Sequence, residues 1–175
     1  MLGAPKLIST VGDVLVSIEE LRSFLRLDGP DLDVEIAGYL ATSVGEVERL
    51  TGYRLGRQTV EVVGDVWADF RHLLVGPVRE IVQVRYQDRN GEWQDLEPGV
   101  VELFGGELEQ GVRSSFRQKL PPVRDEAAVI AMRFDVGSEV SPEPLKWAVL
   151  LLCRGKLDDT AADVAHLLFD FRINP

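Results

Sequence analysis

The chain has 175 residues, of which 45% are apolar and 27% charged, so it suits one domain or one domain with a small insertion. Its 29 acidic and 19 basic residues give a formal net charge of −10. This balance argues against a general nucleic-acid binder, because such a protein needs a basic face to release counterions from phosphate. An acidic surface can still line a path to which DNA must not adhere, although solubility is the simpler explanation.

Neither a disulfide nor a membrane span is expected. The single cysteine, Cys153, cannot form an internal disulfide, and its apolar surroundings favour a buried structural role over that of a catalytic thiol. The longest apolar run, Trp147 to Cys153, is far short of the ~20 residues of a membrane helix. The N-terminus lacks the pattern of a signal peptide, so we expect a soluble protein made inside the cell.

Two helices are predicted before residue 55, after an arm or short strand over residues 1–16. Ser17–Glu20 has the sequence of a capping box, and a short helix with one apolar face follows it to the break at Asp28–Pro30. A second helix starts near Asp31, repeats apolar residues at three- and four-residue steps, and ends at Gly52. Its acidic residues predict an acidic outer face: Asp31, Asp33, Glu35, Glu46 and Glu48.

After Gly52 the apolar period changes from helical to two, which is typical of strands. Alternating segments begin near Val60, Val82 and Ala128, and the pair Asn90-Gly91 is a strong hairpin signal. Val100–Phe104 also predicts a strand, and Val112–Phe116 has a weaker strand pattern. These segments predict a small antiparallel sheet or barrel. Core packing is the favoured role of the aromatics in this region, with a binding patch as the alternative: Trp67, Phe70, Trp93, Phe104 and Phe116.

Helical patterns resume near Ser141, a plausible N-cap that is followed by proline at the first helical position. The helix over Leu145 to Cys153 is apolar on all faces, so it lies either centrally in a core or between the core and a partner. A polar loop over 155–162 and a last helical turn over 163–171 follow. The apolar residues near the C-terminus either dock on the chain's own core or are presented to a partner: Leu167, Leu168, Phe169 and Phe171.

Together these elements predict an α+β protein. The N-terminal and C-terminal helices, within residues 1–54 and 140–175, form a small helical bundle, and residues 55–139 form an inserted antiparallel β subdomain. No metal, cofactor or nucleophile pattern stands out: His72 and His166 are far apart, and the acid pairs at 107/109 and 158/159 read as solvated. Without a family resemblance, a monomeric binding module using the β insertion and a small hydrolase remain alternatives to a structural protein.

The order of several segments resembles that of tailed-phage head–tail connector proteins, also called head-completion or adaptor proteins. Val47–Leu55 matches the family's V-E-x-x-T-G-x-x-L helix end, and Gln58-Thr59 opens the next strand. Val75–Gly91 contains a proline-led strand and a Y-x-D-x-x-G hairpin, and Pro142–Leu152 is similar to the closing P-x-x-L-K-x-A helix. The resemblance extends from Ile18 to Phe171. It departs from the family at 120–122, where Leu-Pro-Pro replaces a frequent Trp-Pro pair.

The resemblance implies a ring of about a dozen copies that docks beneath the portal protein of phages, prophages or gene transfer agents. Such a ring extends the DNA channel, receives a tail-side stopper or tail terminator protein, and lets DNA pass without specific binding. No enzyme activity, cofactor or membrane is implied. The C-terminal segment would engage the portal, through Leu167, Leu168, Phe169, Phe171, Arg172 and Ile173. Subunit-interface or channel candidates are Asp31, Asp33, Glu35, Glu46, Glu48, Trp147, Leu150 and Leu151.

Overall fold

The computed structural model describes residues 1–10, 15–138 and 140–173. It confirms the predicted α+β class, with helices on both sides of a strand-rich middle. None of the described helices is long and apolar enough to cross a bilayer. The helices are α1 (Ile18–Leu25), α2 (Asp33–Thr51), α3 (Glu143–Leu157) and α4 (Ala165–Leu168). The strands are β1 (Lys6–Thr10), β2 (Gln58–Gly64), β3 (Val78–Gln87), β4 (Trp93–Asp95), β5 (Val101–Gly106), β6 (Glu109–Ser114) and β7 (Ile130–Val136).

The predicted ends of the first two helices are confirmed in their main features. The Ser17 hydroxyl caps α1 by accepting a hydrogen bond from the Glu20 N–H at 3.1 Å. Helix α2 ends at Gly52, whose backbone is left-handed (φ 75°) and whose N–H donates to the Glu48 carbonyl at 2.8 Å. Glycine occupies this conformation without the steric cost of a side chain.

The strands form an open antiparallel sheet with the order β1-β2-β7-β3-β4, and β5 and β6 form a separate hairpin. A sheet is therefore present rather than a closed barrel. Residues of β2 and β7 alternate strictly between buried and half-buried positions, as the period-two pattern predicted. The Asn90-Gly91 turn joins β3 to β4, which also confirms the hairpin.

Two clusters of buried apolar side chains lie along the chain. One is formed by α1, α2, α3 and α4 together with Tyr53 and Leu55, and the other lies on the sheet around β2, β7 and Phe70. The N-terminal strand β1 pairs with β2, so residues 6–10 belong to the sheet although the sequence division grouped them with the helices. The residues between Thr10 and Leu15 lie outside the described part of the chain.

The start and end of α3 differ from the sequence prediction. Pro142, not Ser141, occupies the N-cap position, and the Ser141 hydroxyl instead donates to the Leu55 carbonyl at 2.7 Å. The predicted N-cap is therefore wrong, because the hydroxyl donates to a distant carbonyl instead of accepting from the N–H groups of the helix. The helix also continues past the predicted loop start at Gly155 to Leu157. Gly155 is buried, and its carbonyl accepts from the Thr160 N–H at 2.8 Å.

The buried strand β7 provides a direct test of the sheet core. Phe134 is fully buried on β7, so we expect Phe134→Ala to lower the free energy of unfolding by about 3–5 kcal/mol through lost apolar burial and the resulting cavity. Val82→Ala on the exposed side of β3 is the control, with an expected change within about 0.5 kcal/mol. Chemical denaturation followed by circular dichroism measures both, and equal losses would contradict this placement of the core.

Candidate assembly surfaces

The carboxylate of Glu48, an interface or channel candidate, lies inside the fold. It accepts hydrogen bonds from the Arg54 guanidinium at 2.8 Å, the Leu55 N–H at 2.9 Å and the Gln58 side-chain amide at 3.0 Å. These donors belong to the segment that leads from the end of α2 into β2. Glu48 therefore fixes the junction between the helices and the sheet.

Two further acidic residues of α2 also face neighbouring helices. Asp33 pairs with Arg22 of α1 at 2.9 Å, and Glu46 pairs with Lys156 of α3 at 3.0 Å. Of the five predicted acids, only Asp31 and Glu35 are exposed, and the Glu35 carboxylate accepts from the Tyr39 hydroxyl. The prediction of an acidic outer face is thus wrong for Asp33, Glu46 and Glu48, because helical spacing places them within reach of cations on adjacent elements.

The outer face of α2 instead consists mainly of small, uncharged residues. Val34 is 90% exposed, and Gly38, Ala41 and Gly45 continue the exposed side of the helix. No residue between Ile36 and Gly45 carries a charge. A surface helix ordinarily turns charged residues to solvent, so this face is a candidate for contact with another molecule.

Beside this face lies an apolar groove of about 480 Å³ between α1, α2 and the strand β1. On β1, Leu7 is 55% exposed and Ile8 is also exposed. Because β1 is an edge strand of the five-stranded sheet, its outer side adjoins no other described strand. The apolar side chains that line the groove are Leu7, Leu15, Val16, Ile18, Ala37, Leu40, Ala41, Val44 and Leu55.

Helix α3, the other predicted interface element, is largely internal. Leu150 is buried, and Leu151 is half-buried against the helical cluster. Trp147 is 48% exposed, and its ring meets Phe24 edge-on at 5.7 Å between centroids. Of these three candidates, Trp147 alone presents a large surface to solvent.

The C-terminal segment docks on the helical core with some of its side chains and exposes others. Leu168 is buried and Leu167 half-buried, whereas Phe169 is 72% exposed and Arg172 is exposed. The Ile173 N–H donates to the Thr51 carbonyl at 2.7 Å. Leu167 and Leu168 therefore pack on the chain's own core, as one of the two alternatives expected, and Phe169 does not.

Two glycines form the seat of this segment. An added Cβ at Gly52 would lie 2.9 Å from the Leu74 carbonyl oxygen and 3.3 Å from the Ile173 Cβ. At Gly76 it would lie 3.1 Å from the Ile173 Cδ1. The backbones of these glycines also meet, since the Gly76 N–H donates to the Gly52 carbonyl at 3.2 Å. The seat therefore depends on close backbone approach.

Tyr53 connects the seat to the β5–β6 hairpin. Its ring is buried against Phe171, edge-on at 6.1 Å, and its hydroxyl donates to the Glu107 carboxylate at 3.0 Å. Burial and then this hydrogen bond raise the pKa of Tyr53 well above its ordinary value. The phenol is therefore neutral whenever the protein is folded at ordinary pH.

The described residues contain no group of three side chains suited to hold a metal ion. Cys153 is fully buried in α3, and burial raises the pKa of its thiol. Its position agrees with the structural role favoured by the sequence.

The aromatics of the strand region do not all pack in the core. Phe70 is buried, and Trp67 and Phe104 are half-buried, but Trp93 is exposed and Phe116 is 83% exposed. Core packing is therefore wrong for Phe116 and for Trp93, which lies on the edge strand β4. The polar and basic residues that follow Val112 in the sequence are the signal that could have indicated the exposure of Phe116.

Comparison with known proteins finds similarity in structure but not in sequence. No protein-family model and no curated protein sequence matches the chain. The chain shares its fold with chains in three solved assemblies: the neck of an empty GTA particle computed with C6 symmetry, the virion of a native gene transfer agent (GTA) particle, and the neck of a native GTA particle computed with C12 symmetry. The TM-scores are 0.77, 0.75 and 0.70 at 20%, 21% and 21% identity. Each comparison covers 100% of this chain and 96% of the other.

The close approach at Gly52 can be tested against a second left-handed glycine. Gly52→Ala forces a Cβ against Leu74 and Ile173, whereas Gly29→Ala (φ 86°) places it in open space. We expect both variants to lose the roughly 1–2 kcal/mol of a left-handed alanine, and Gly52→Ala to lose at least about 1 kcal/mol more through overpacking. Denaturation curves give the difference, and equal losses would show that the seat does not constrain Gly52.

The raised pKa of Tyr53 predicts a loss of stability in alkali. Above about pH 10 the unfolded chain releases the phenolic proton, while the folded chain retains it. The free energy of unfolding therefore falls as pH rises from 10 toward 12. Tyr53→Phe has no such proton, so its stability should fall less over this range, although it loses about 1 kcal/mol at pH 7 with the hydrogen bond. If the free energy of unfolding fell equally with pH in the two proteins, the raised pKa of Tyr53 would be contradicted.

Proposed function

We propose that the protein is a structural component of the neck of a phage-like particle, located at the junction of head and tail. The observation that carries this proposal is the correspondence of fold over the whole chain with chains of gene transfer agent necks, at TM-scores up to 0.77. Nearly the whole of both chains is covered, so helices and strands are shared in one arrangement. The ordered sequence segments from Ile18 to Phe171 support the same class.

More specifically, we propose an adaptor that forms a closed ring beneath the portal, extends the DNA channel and receives a tail-side protein. Two of the structurally similar necks were computed with C6 and with C12 symmetry, which suits a ring of repeated subunits. In a closed ring each contact is heterologous, so one surface of a copy meets a different surface of the next. The uncharged face of α2 with its apolar groove is a suitable surface of this kind. In this proposal the helices build the ring and residues 55–139 form the insertion.

The C-terminal segment is the proposed contact to the portal protein. Leu168, Phe171 and Ile173 hold it on the core, while Phe169 and Arg172 project from the same short segment. An exposed aromatic residue and an arginine on a fixed base are the residue types that contribute most to protein interfaces. Their neighbours already order the backbone, so binding would require little additional ordering.

Portal binding tests this assignment. We expect Phe169→Ala combined with Arg172→Glu to weaken binding of the particle's portal protein at least about 10-fold, because such contact residues commonly contribute more than 1 kcal/mol each. The thermal midpoint should be almost unchanged, since both side chains are exposed. Trp93→Ala, which removes an exposed aromatic from β4, is the control and should bind normally.

Electron microscopy of the assembled particle tests the wider proposal. Density for this chain should form a ring between portal and tail. Wild-type affinity in the double variant would reject the C-terminal contact alone, whereas a particle neck without this chain would reject the neck assignment itself.

A further inference from the structure

A four-residue turn at Ser115–Gln118 projects from the end of β6. The Gln118 N–H donates to the Ser115 carbonyl at 3.0 Å, and Arg117, at the third position, has a left-handed backbone (φ 62°). This is the position of a type II turn that glycine usually occupies, so an arginine here carries a backbone cost. The turn places Phe116 at 83% exposure, with the Arg117 guanidinium 5.0 Å from the ring centroid.

The turn stands on a fixed base. On one side the Ser115 N–H donates to the Val100 carbonyl at 2.9 Å. On the other the Trp67 indole N–H donates to the Pro121 carbonyl at 2.9 Å. The exposed tip is therefore held in place before it meets any partner, which lowers the entropic cost of binding.

The charge of this segment is opposite to that of the whole protein. Residues 110–124 contain four basic residues and no acidic residue, in a chain with a net charge of −10. Arg113 pairs with Glu102 and Arg124 pairs with Glu126. Within the described residues, Arg117 and Lys119 have no carboxylate within ion-pair distance. The tip therefore offers two cations around one exposed aromatic ring.

These features fit an acidic protein surface with an apolar recess better than they fit DNA. Phosphates would satisfy the cations but would leave Phe116 in water, because the duplex backbone offers no apolar slot. Phe116 and Arg117 are residue types enriched at the centres of protein interfaces, where the ring is fully buried. A partner must therefore combine carboxylates with an apolar cavity large enough for a phenyl ring.

The apolar groove of this same chain meets both requirements. Its volume of about 480 Å³ holds an aromatic side chain with room to spare, and its lining is mainly aliphatic. The two helices that line it carry the exposed carboxylates of Glu19 and Glu35. Between Ile18 and Thr51 the exposed acidic residues outnumber the exposed basic residues five to two, so the solvent-facing surface of these helices is acidic: Glu19, Glu20, Asp28, Asp31 and Glu35 against Arg26 and Arg49.

Resting on the ring proposed above, we infer that the Phe116–Arg117 turn of one copy docks into the apolar groove between α1, α2 and β1 of the next copy. The two surfaces differ, so each copy can give one turn and receive another, which is the arrangement of a closed ring. Copies with a charge of −10 repel one another, and the acid-free basic segment against an acidic element makes this contact attractive instead.

Photo-crosslinking in the assembled ring tests the contact directly. Phe116 is replaced by the photoreactive p-benzoylphenylalanine, rings or particles are irradiated, and the joined peptides are identified by mass spectrometry. We expect joined peptides from the groove of a second copy, containing Ile18 or residues 37–44. Crosslinks to DNA, to another protein or to a different surface of this chain would overturn the inference, as would their absence from rings visible by electron microscopy.

Mixing two interface variants provides a second test. Phe116→Ala with Arg117→Glu removes the turn's contact, and Ala41→Arg fills the groove, so each variant alone should form no rings. Mixed together, one intact turn and one intact groove remain, and heterodimers should form without closing a ring, as native mass spectrometry can show. Trp93→Ala with Arg85→Glu alters another arginine–aromatic pair, whose Arg85 guanidinium lies 5.2 Å from the Trp93 ring, and is the matched control.

Circular dichroism first establishes that every variant is folded. Normal rings from either interface variant, or no heterodimer in the mixture, would overturn the contact while leaving the neck assignment intact. Failure of the wild-type chain to occur in the neck would instead overturn the neck assignment on which this contact rests.

Discussion

The junction at the end of α2 depends on one partly buried carboxylate. Glu48 receives three hydrogen bonds from a segment of five residues, and these bonds hold the chain as it turns from the helix into the sheet. Removal of a partly buried carboxylate with several donors leaves those donors unpaired, which costs more than the bonds themselves contribute. The groove, the glycine seat of the C-terminal segment and strand β2 all adjoin this junction. Their positions relative to one another therefore depend on it.

Local signals in the sequence predict much of this fold. The Ser17 cap, the Gly52 stop, the Asn90-Gly91 hairpin and the alternation in β7 each depend on residues close together in the chain, so they are readable without a structure. The Ser141 hydroxyl is different, because its partner is a carbonyl 86 residues away. The start of α3 could not be predicted for that reason.

The residues that face solvent were harder to predict than the positions of the helices and strands. Asp33, Glu46 and Glu48 look solvated in a helical projection, but they pair with cations on α1, on α3 and in the segment after α2. Phenylalanine is a residue type common in protein cores, and Phe116 is exposed only because it lies in a turn beyond β6. The portal and interface candidates remain proposals, since their roles concern other molecules. Pairing of these charges within the fold leaves the exposed face of α2 between Ile36 and Gly45 without charge.

The helices α2 and α3 pack together although the chain between Thr51 and Glu143 makes an entire sheet and a hairpin. The entropic cost of closing a flexible loop rises only slowly with its length, by about 0.6 kcal/mol for each doubling. Changes in the size of the intervening module therefore have little effect on the packing of these helices through chain entropy. Loops of the sheet away from the Phe116–Arg117 turn can therefore gain or lose residues while the packing of α2 against α3 stays the same.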